Sequence, residues 1–229
     1  MKIAIQQSDY IPWKGYFDII RSVDEFIIYD DVQYTRRDWR NRNIIKTRSG
    51  QGWLTIPVKV KGRFSQLINE TEVTDSRWAV KHWKKILHNY SSAYHFDEYR
   101  CLFEEAYRLA GEMKMITDIN LLFINLICSV LGISTTMVRS EQYNPQGKGS
   151  NRILSLCRET GADSYLTGPS ALKYLDEQAF RKAGIEIRTA DYSDYPEYKQ
   201  LWPPFIHNVS IIDLIFNTGR DALKYMKQF

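Results

Sequence analysis

The sequence predicts a protein of the α/β class: a mostly parallel sheet covered by helices, with a helical middle segment. Three observations predict it. Short apolar runs of strand length recur at residues 2–7, 25–29, 134–138, 164–167 and 185–188. Segments of helical apolar spacing separate them. A longer helical stretch, about residues 75–132, stands between two strand-rich parts. Strands alternating with helices at this spacing form βαβ units, whose parallel sheet needs cover on both faces. A length of 229 residues suffices for one substantial core, so the chain reads as a single domain, 1–229, with the helical segment inserted between two α/β halves.

The elements follow in order. Residues 2–7 form a buried strand. Residues 15–23 form a short helix with Phe17 and Ile20 inward, and 25–29 a second strand. A polar, basic loop runs from 30 to about 43, and Ile44 and Ile45 begin another strand. "WLTIPVKVK", 53–61, and 67–73 read as two more. Thr74, Asp75 and Ser76 supply N-cap candidates for a helix reaching about residue 89. Helices follow at 97–111 and 114–131, then a strand at 134–138. Ser150 caps a helix that stops at Gly161. After the strand 164–167, Gly168, Pro169 and Ser170 lead into a helix. Gly184 precedes a strand at 185–188, and helical segments cover 211–217 and 221–227. The arrangement is Rossmann-like, and in such sheets ligands sit beyond the carboxyl ends of the strands. The loops after Gln7, after Tyr29 and after Leu166 therefore converge on one edge if the strands are parallel.

Composition narrows the function classes. A net charge of +4, with basic residues confined to local runs, does not point to nucleic acid. The longest apolar stretch, near 121–133, is broken by Asn125, Ser129 and Gly132 and is too short to span a bilayer. No signal peptide is expected at the start. Cys101, Cys128 and Cys157 are widely spaced, which fits a reducing cytoplasm better than a zinc site. Fifteen tyrosines exceed what one core readily buries, and a tyrosine ring with its hydroxyl suits a polar cleft.

Several stretches carry candidate chemistry. In "QQSDYIPWKGYF", Gln6, Gln7 and Asp9 supply amides and a carboxylate. Tyr10 and Trp13 offer flat faces, and Pro12 and Gly15 fix the turn. Trp13, Tyr16 and Phe17 also suit simple helix-on-sheet packing. In "YDDVQYTRRDWRNRN", Asp30 and Asp31 end a strand and Gln33 follows. Arg36, Arg37, Arg40 and Arg42 come next, then Asn43 and Lys46. Arginine forks match phosphate oxygens, so this is either a diphosphate clamp or a solvated basic loop. The paired aspartates suit salt bridges or, less well, magnesium.

On the helix after residue 76, Ala79, Trp83, Ile86 and Tyr90 form one stripe with His82 at its edge. A histidine there is commonly a hydrogen-bonded core residue, yet it is the best-placed general base in the chain. "TGPS" places Gly168 at a strand-to-helix turn, where free N–H groups hold anions. Tyr198 and Gln200 precede the proline-stiffened "WPPF" loop, placed to close over a pocket. Ser210 and Asp213 read as a capping pair. The cysteines stand in helical apolar positions and are not nucleophiles.

Taken together, "IAIQQSDYIPWKGYFDII", "DEFIIYDDVQYTRRDWRNRNIIKT", "GQGWLTIPV", "KHWKKILHNY", "GADSYLTGPSALKYLD" and "EYKQLWPPFIHNVSIIDLIFNTG" resemble the WbqC-like protein family in order and over essentially the whole chain. One departure is visible: Ser8 and Asp9 stand where the family commonly has proline and asparagine. The resemblance implies an enzyme of bacterial O-antigen (lipopolysaccharide) and surface-glycan biosynthesis. It implies transfer of glycine, or another aminoacyl or acyl group, to the amino group of a nucleotide-linked amino sugar. No bound cofactor is evident. The donor is an activated ester, such as a thioester on an acyl or peptidyl carrier protein. His82, Asp30 or Asp31 is the expected general base. Gln7, Asn43 or N–H groups near Gly168 are expected to meet the oxyanion. Gln6, Tyr10, Trp13, Gln33, Arg42, Lys46, Tyr90, Tyr198 and Gln200 complete the expected substrate contacts. Two other classes remain open: a nucleotidylyltransferase or nucleotide hydrolase using magnesium at Asp30 and Asp31, and a non-enzymatic component of a glycan assembly complex.

Overall fold

A computed structural model describes residues 1–229. Five strands form one parallel sheet: β1 (Lys2–Gln6), β2 (Glu25–Ile28), β5 (Thr136–Arg139), β6 (Ser164–Thr167) and β7 (Glu186–Thr189), in the order β5-β2-β1-β6-β7. Ile3 pairs with Glu25 on one side and Tyr165 on the other, and every neighbour is parallel. The near-continuous apolar strands follow from burial on both faces. Because side chains alternate along a strand, Ile3, Ile5 and Ile27 point one way, against α5 (Ser150–Glu159) and α6 (Glu177–Lys182). Ala4, Phe26 and Ile28 point the other way, into the larger core with α1 (Lys14–Arg21) and α4 (Ile116–Leu131).

The middle segment is helical, as expected: α2 (Arg77–Tyr90), α3 (Phe96–Glu112) and α4. Gly132 ends α4 in the left-handed conformation, at φ 68°. Phe103, Tyr107, Phe123 and Ile127 carry its apolar stripes into the larger core, joined by Phe216 of α7 (Ile211–Thr218). No helix is long and apolar enough to cross a membrane.

Three local expectations are corrected, and one element is added. The strand expected at 53–61 is β4 (Gly50–Thr55), which pairs antiparallel with β3 (Arg42–Thr47) in a hairpin outside the main sheet. Pro57 has no N–H to continue the ladder. The strand expected at 67–73 is a 3₁₀ turn, Ile68–Glu70, because its N–H groups bond the preceding loop: Ile68 N to Val32 O and Asn69 N to Asp30 O. "PSALK", Pro169–Lys173, is also 3₁₀ and not an α-helix. The short helix α6 was not expected. It buries only Phe180, too little for a period to show, and is capped by Asp176 through Ala179 N at 3.1 Å.

Candidate active site

The strand order locates the site. From β1 the chain steps outward to β2 and then β5, crosses back past β1 to β6, and steps outward again to β7. Strands β1 and β6 are thus neighbours whose connections leave in opposite directions, so the loops beyond them part and leave a crevice. A cleft of about 590 Å³ lies there, within the usual range for small-molecule sites. Gln6, Gln7 and Asp9 reach it from beyond β1, Tyr29 from beyond β2, and Thr167 and Gly168 from β6. The three loops expected to converge do so. After Gly168 a 3₁₀ turn stands in place of the expected α-helix.

Asp9 and Arg40 form the charged feature of this cleft. Arg40 Nε lies 2.9 Å from Asp9 Oδ1, Nη1 donates to Gln7 Oε1, and Nη2 lies 3.5 Å from Asp38 Oδ1. Both side chains are largely buried, 15% exposed for Asp9 and 11% for Arg40. Burial pushes the Asp9 carboxyl up to about 6; Arg40 opposes this, and Asp38 and Asp30 add to it. A carboxyl poised there exchanges protons close to neutral pH, as a general base or acid must.

Of the residues expected at the site, Gln6, Gln7 and Gly168 line this cleft. Asp30 lies beneath it. It is buried, with Oδ1 accepting from Ser8 N (2.8 Å) and Oδ2 from Ser8 Oγ (2.6 Å) and Thr117 Oγ1 (2.7 Å). Asp31 turns the other way, to Arg152 and to Ser140 Oγ at 2.6 Å. The two carboxylates therefore have separate partners, and no three His, Cys, Asp or Glu side chains converge in a metal-binding group.

Tyr10 and His82 are placed in the core, not on the cleft. His82 Nε2 meets Thr55 O at 3.2 Å, and a carbonyl only accepts, so Nε2 carries the proton. Nδ1 then accepts from Tyr10 Oη (2.9 Å), which accepts in turn from Tyr107 Oη (2.7 Å). Burial lowers the imidazole to about 4, leaving it neutral near pH 7. The face of Tyr10 is covered edge-on by Trp78 and Phe123.

The others are dispersed. Gln33 is exposed and bonds Phe64 O at 2.8 Å. Arg42 lies 4.4 Å over the Trp53 ring and donates to Arg37 O. Asn43 is buried, its Nδ2 holding Tyr10 O (2.9 Å) and Ile11 O (3.0 Å). Trp13 packs against Tyr192, which lines the cleft, with ring centres 5.0 Å apart.

Tyr90, Tyr198 and Gln200 gather around buried Asp213: Tyr90 Oη donates to Oδ1 (2.9 Å), Tyr198 Oη to Oδ2 (2.6 Å) and Gln200 Nε2 to Oδ2 (2.9 Å). Lys46, also buried, donates to Pro204 O. None of these four lines the cleft. Asp213 is thus a buried anchor and not the capping partner expected of it. Ser210 does cap α7, its Oγ accepting from Ile212 N (3.5 Å) while donating to Ile11 O (2.6 Å).

Asp9 and Arg40 both lie in the two candidate stretches, but nothing in the sequence ranks either above its neighbours. Four arginines in seven residues look alike in sequence. Only the turn at Trp39, whose carbonyl accepts Tyr10 N at 3.0 Å, decides that Arg40 faces the β1 loop.

The fold and the cleft define an α/β protein with an open cleft at the switch point of a doubly wound parallel sheet. Residues 7–225 match the WbqC-like protein family, and the chain belongs to it. It is 48% identical over 226 residues to the uncharacterized protein Rv1507c of Mycobacterium tuberculosis, covering 99% of this chain and 97% of that relative. No solved structure matches the chain.

Proposed function

We propose that the protein is a transferase of bacterial surface-glycan biosynthesis. It binds a nucleotide-linked amino sugar in the β1–β6 cleft and receives a small acyl or aminoacyl group, such as glycyl, on the sugar amine. The observation carrying this reading is the buried Asp9–Arg40 pair at the switch point. Nucleotides bind at such crevices in doubly wound sheets. Arg40, held by Asp9, Gln7 and Asp38, keeps two N–H groups for a phosphate oxygen, and Asp9 offers a carboxylate to the sugar ammonium.

In this reading the free amine attacks the carbonyl carbon of an activated ester, such as a thioester on a carrier. The C–N bond forms and the C–S bond breaks. Asp9 takes the proton lost by nitrogen, which ends on the departing thiol. Asp9 replaces His82, Asp30 and Asp31 as the assigned base because it alone of the four lines the cleft. The geometric demand on a base, reach to the reacting proton, comes before its pKa.

Thermal-shift screening against UDP-, dTDP- and GDP-linked amino sugars tests the binding step. A specific ligand raises the unfolding midpoint with concentration, and Arg40→Ala is expected to remove the response. A flat response to every amino sugar nucleotide would overturn the reading.

A further inference from the structure

Asp9 also opens into a second, smaller chamber of about 180 Å³, lined by Asp9, Pro12, Trp13, Trp39, Asn43 and Asn208. Trp13 and Tyr192, in edge contact at 5.0 Å, stand between it and the cleft, Trp13 on the chamber side and Tyr192 on the cleft side. Asp9 is the one residue common to both.

The turn that builds this chamber is held against its own preference. Ile11 has φ 38°, a left-handed conformation that a β-branched residue rarely adopts. Asn43 and Ser210 both bond the Ile11 carbonyl, Asn43 also bonds the Tyr10 carbonyl, and Trp39 O accepts Tyr10 N. These bonds come from the β3 strand, the basic loop and the start of α7, and together they aim Asp9 and Pro12 at the chamber. Trp13 is laid down just as firmly. A Cβ at residue 15 would collide with its ring, so Gly15 is what lets the indole lie flat on α1.

We propose that this chamber is the donor subsite and takes the acyl portion of the activated ester. The inference rests on the amino sugar occupying the larger cleft. Size sets the substrate class. At about 180 Å³ the chamber is comparable to an internal cavity of about 150 Å³, which accommodates one benzene ring. A small acyl group such as glycyl or acetyl fits, and a long-chain acyl group does not. The walls are two indoles and a proline, which suit a small uncharged methylene. Exposed Asn208 at the rim offers an amide to its polar end. Trp39, 39% exposed, leaves the mouth beside it open to solvent, where the carrier arm departs. Asp9 then stands between amine and carbonyl, as direct transfer requires.

The test uses the full-length protein and two small carrier mimics, S-acetyl- and S-glycyl-N-acetylcysteamine. Millimolar thioester is expected to shift the indole N–H resonances of Trp13 and Trp39. Asn208→Phe, which fills the chamber from an exposed position, is expected to weaken that binding by about ten-fold or more. It should leave the amino sugar nucleotide affinity within about two-fold. Trp39→Ala enlarges the chamber and is expected to admit S-octanoyl-N-acetylcysteamine, which the wild type excludes. Unmoved indoles with intact nucleotide-sugar binding would overturn the donor subsite alone. Loss of nucleotide-sugar binding in the wild type would overturn it together with the reading on which it rests.

Discussion

Arg40 Nε stands 2.9 Å from Asp9 Oδ1 at the carboxyl edge of the sheet, yet the carboxyl is held up to about 6. The guanidinium does not offset the loss of water around the acid. Such a group is costly to keep ionised, and its presence on a cleft points to use.

The raised value fixes a sign. An acid whose folded value lies above its unfolded one holds its proton more tightly when folded. Its contribution to stability is therefore lost as pH rises from about 4 to about 6. Asn mimics the protonated form. Asp9→Asn is expected to be more stable than wild type at pH 7 by on the order of 2 kcal/mol, with the gain vanishing near pH 4. Thermal denaturation of both proteins across that range checks it. The same variant should lose transferase activity, and wild-type activity should rise with pH through about 6. A variant less stable at pH 7 would show that the Arg40 pairing outweighs desolvation.

Asp30 illustrates the opposite case, an acid spent on structure. Its carboxylate joins the β1 loop to α4 through Ser8 and Thr117. Asp30→Ala leaves three buried donors without an acceptor and is expected to cost about 3 kcal/mol or more by chemical denaturation. Ser8→Pro removes both the N–H and the hydroxyl that reach Asp30 and should destabilise for the same reason.

His82→Ala should separate packing from catalysis. The imidazole is neutral and bound to Tyr10 and Thr55 within the core. Its loss is expected to cost about 2 kcal/mol of stability while leaving kcat within about two-fold of wild type at a temperature where the variant stays folded. A thousand-fold loss of kcat in a folded variant would restore it as the base.

Tyr90→Phe and Tyr198→Phe each remove one hydroxyl from Asp213, which ties α2 and the 198–206 loop to α7. Each is expected to cost about 1–2 kcal/mol. The double variant should depart from additivity, because one buried carboxylate serves both. Ligand affinity at the cleft should not change.

The sheet was legible because parallel strands buried on both faces read as continuous apolar runs, as at Ile3–Ile5 and Phe26–Ile28. That alternation of strand and helix then identified which loops would meet. What the sequence could not rank was side chains within those loops. Tyr10 and Asp9 are adjacent, yet one is in the core and the other on the cleft, a difference set by the Ile11 turn and its partners from distant segments. Asp30 and Asp31 likewise read as a pair and are divided in the turn after β2, one facing Ser8 and the other Arg152. Tyr90, Tyr198 and Gln200 looked like ligand groups because polar aromatics suit pockets, but a single buried Asp213 satisfies them all.

Calorimetric titration with an amino sugar nucleotide tests the central claim most directly, comparing wild type with Ser170→Trp, Arg40→Ala and Arg42→Ala. Ser170 is exposed on the cleft wall, so a tryptophan there blocks the cleft without disturbing the core. The account predicts binding by wild type and Arg42→Ala, none by Ser170→Trp, and about ten-fold or greater weakening in Arg40→Ala. Equal binding by all four folded proteins, or weakening in Arg42→Ala alone, would contradict it.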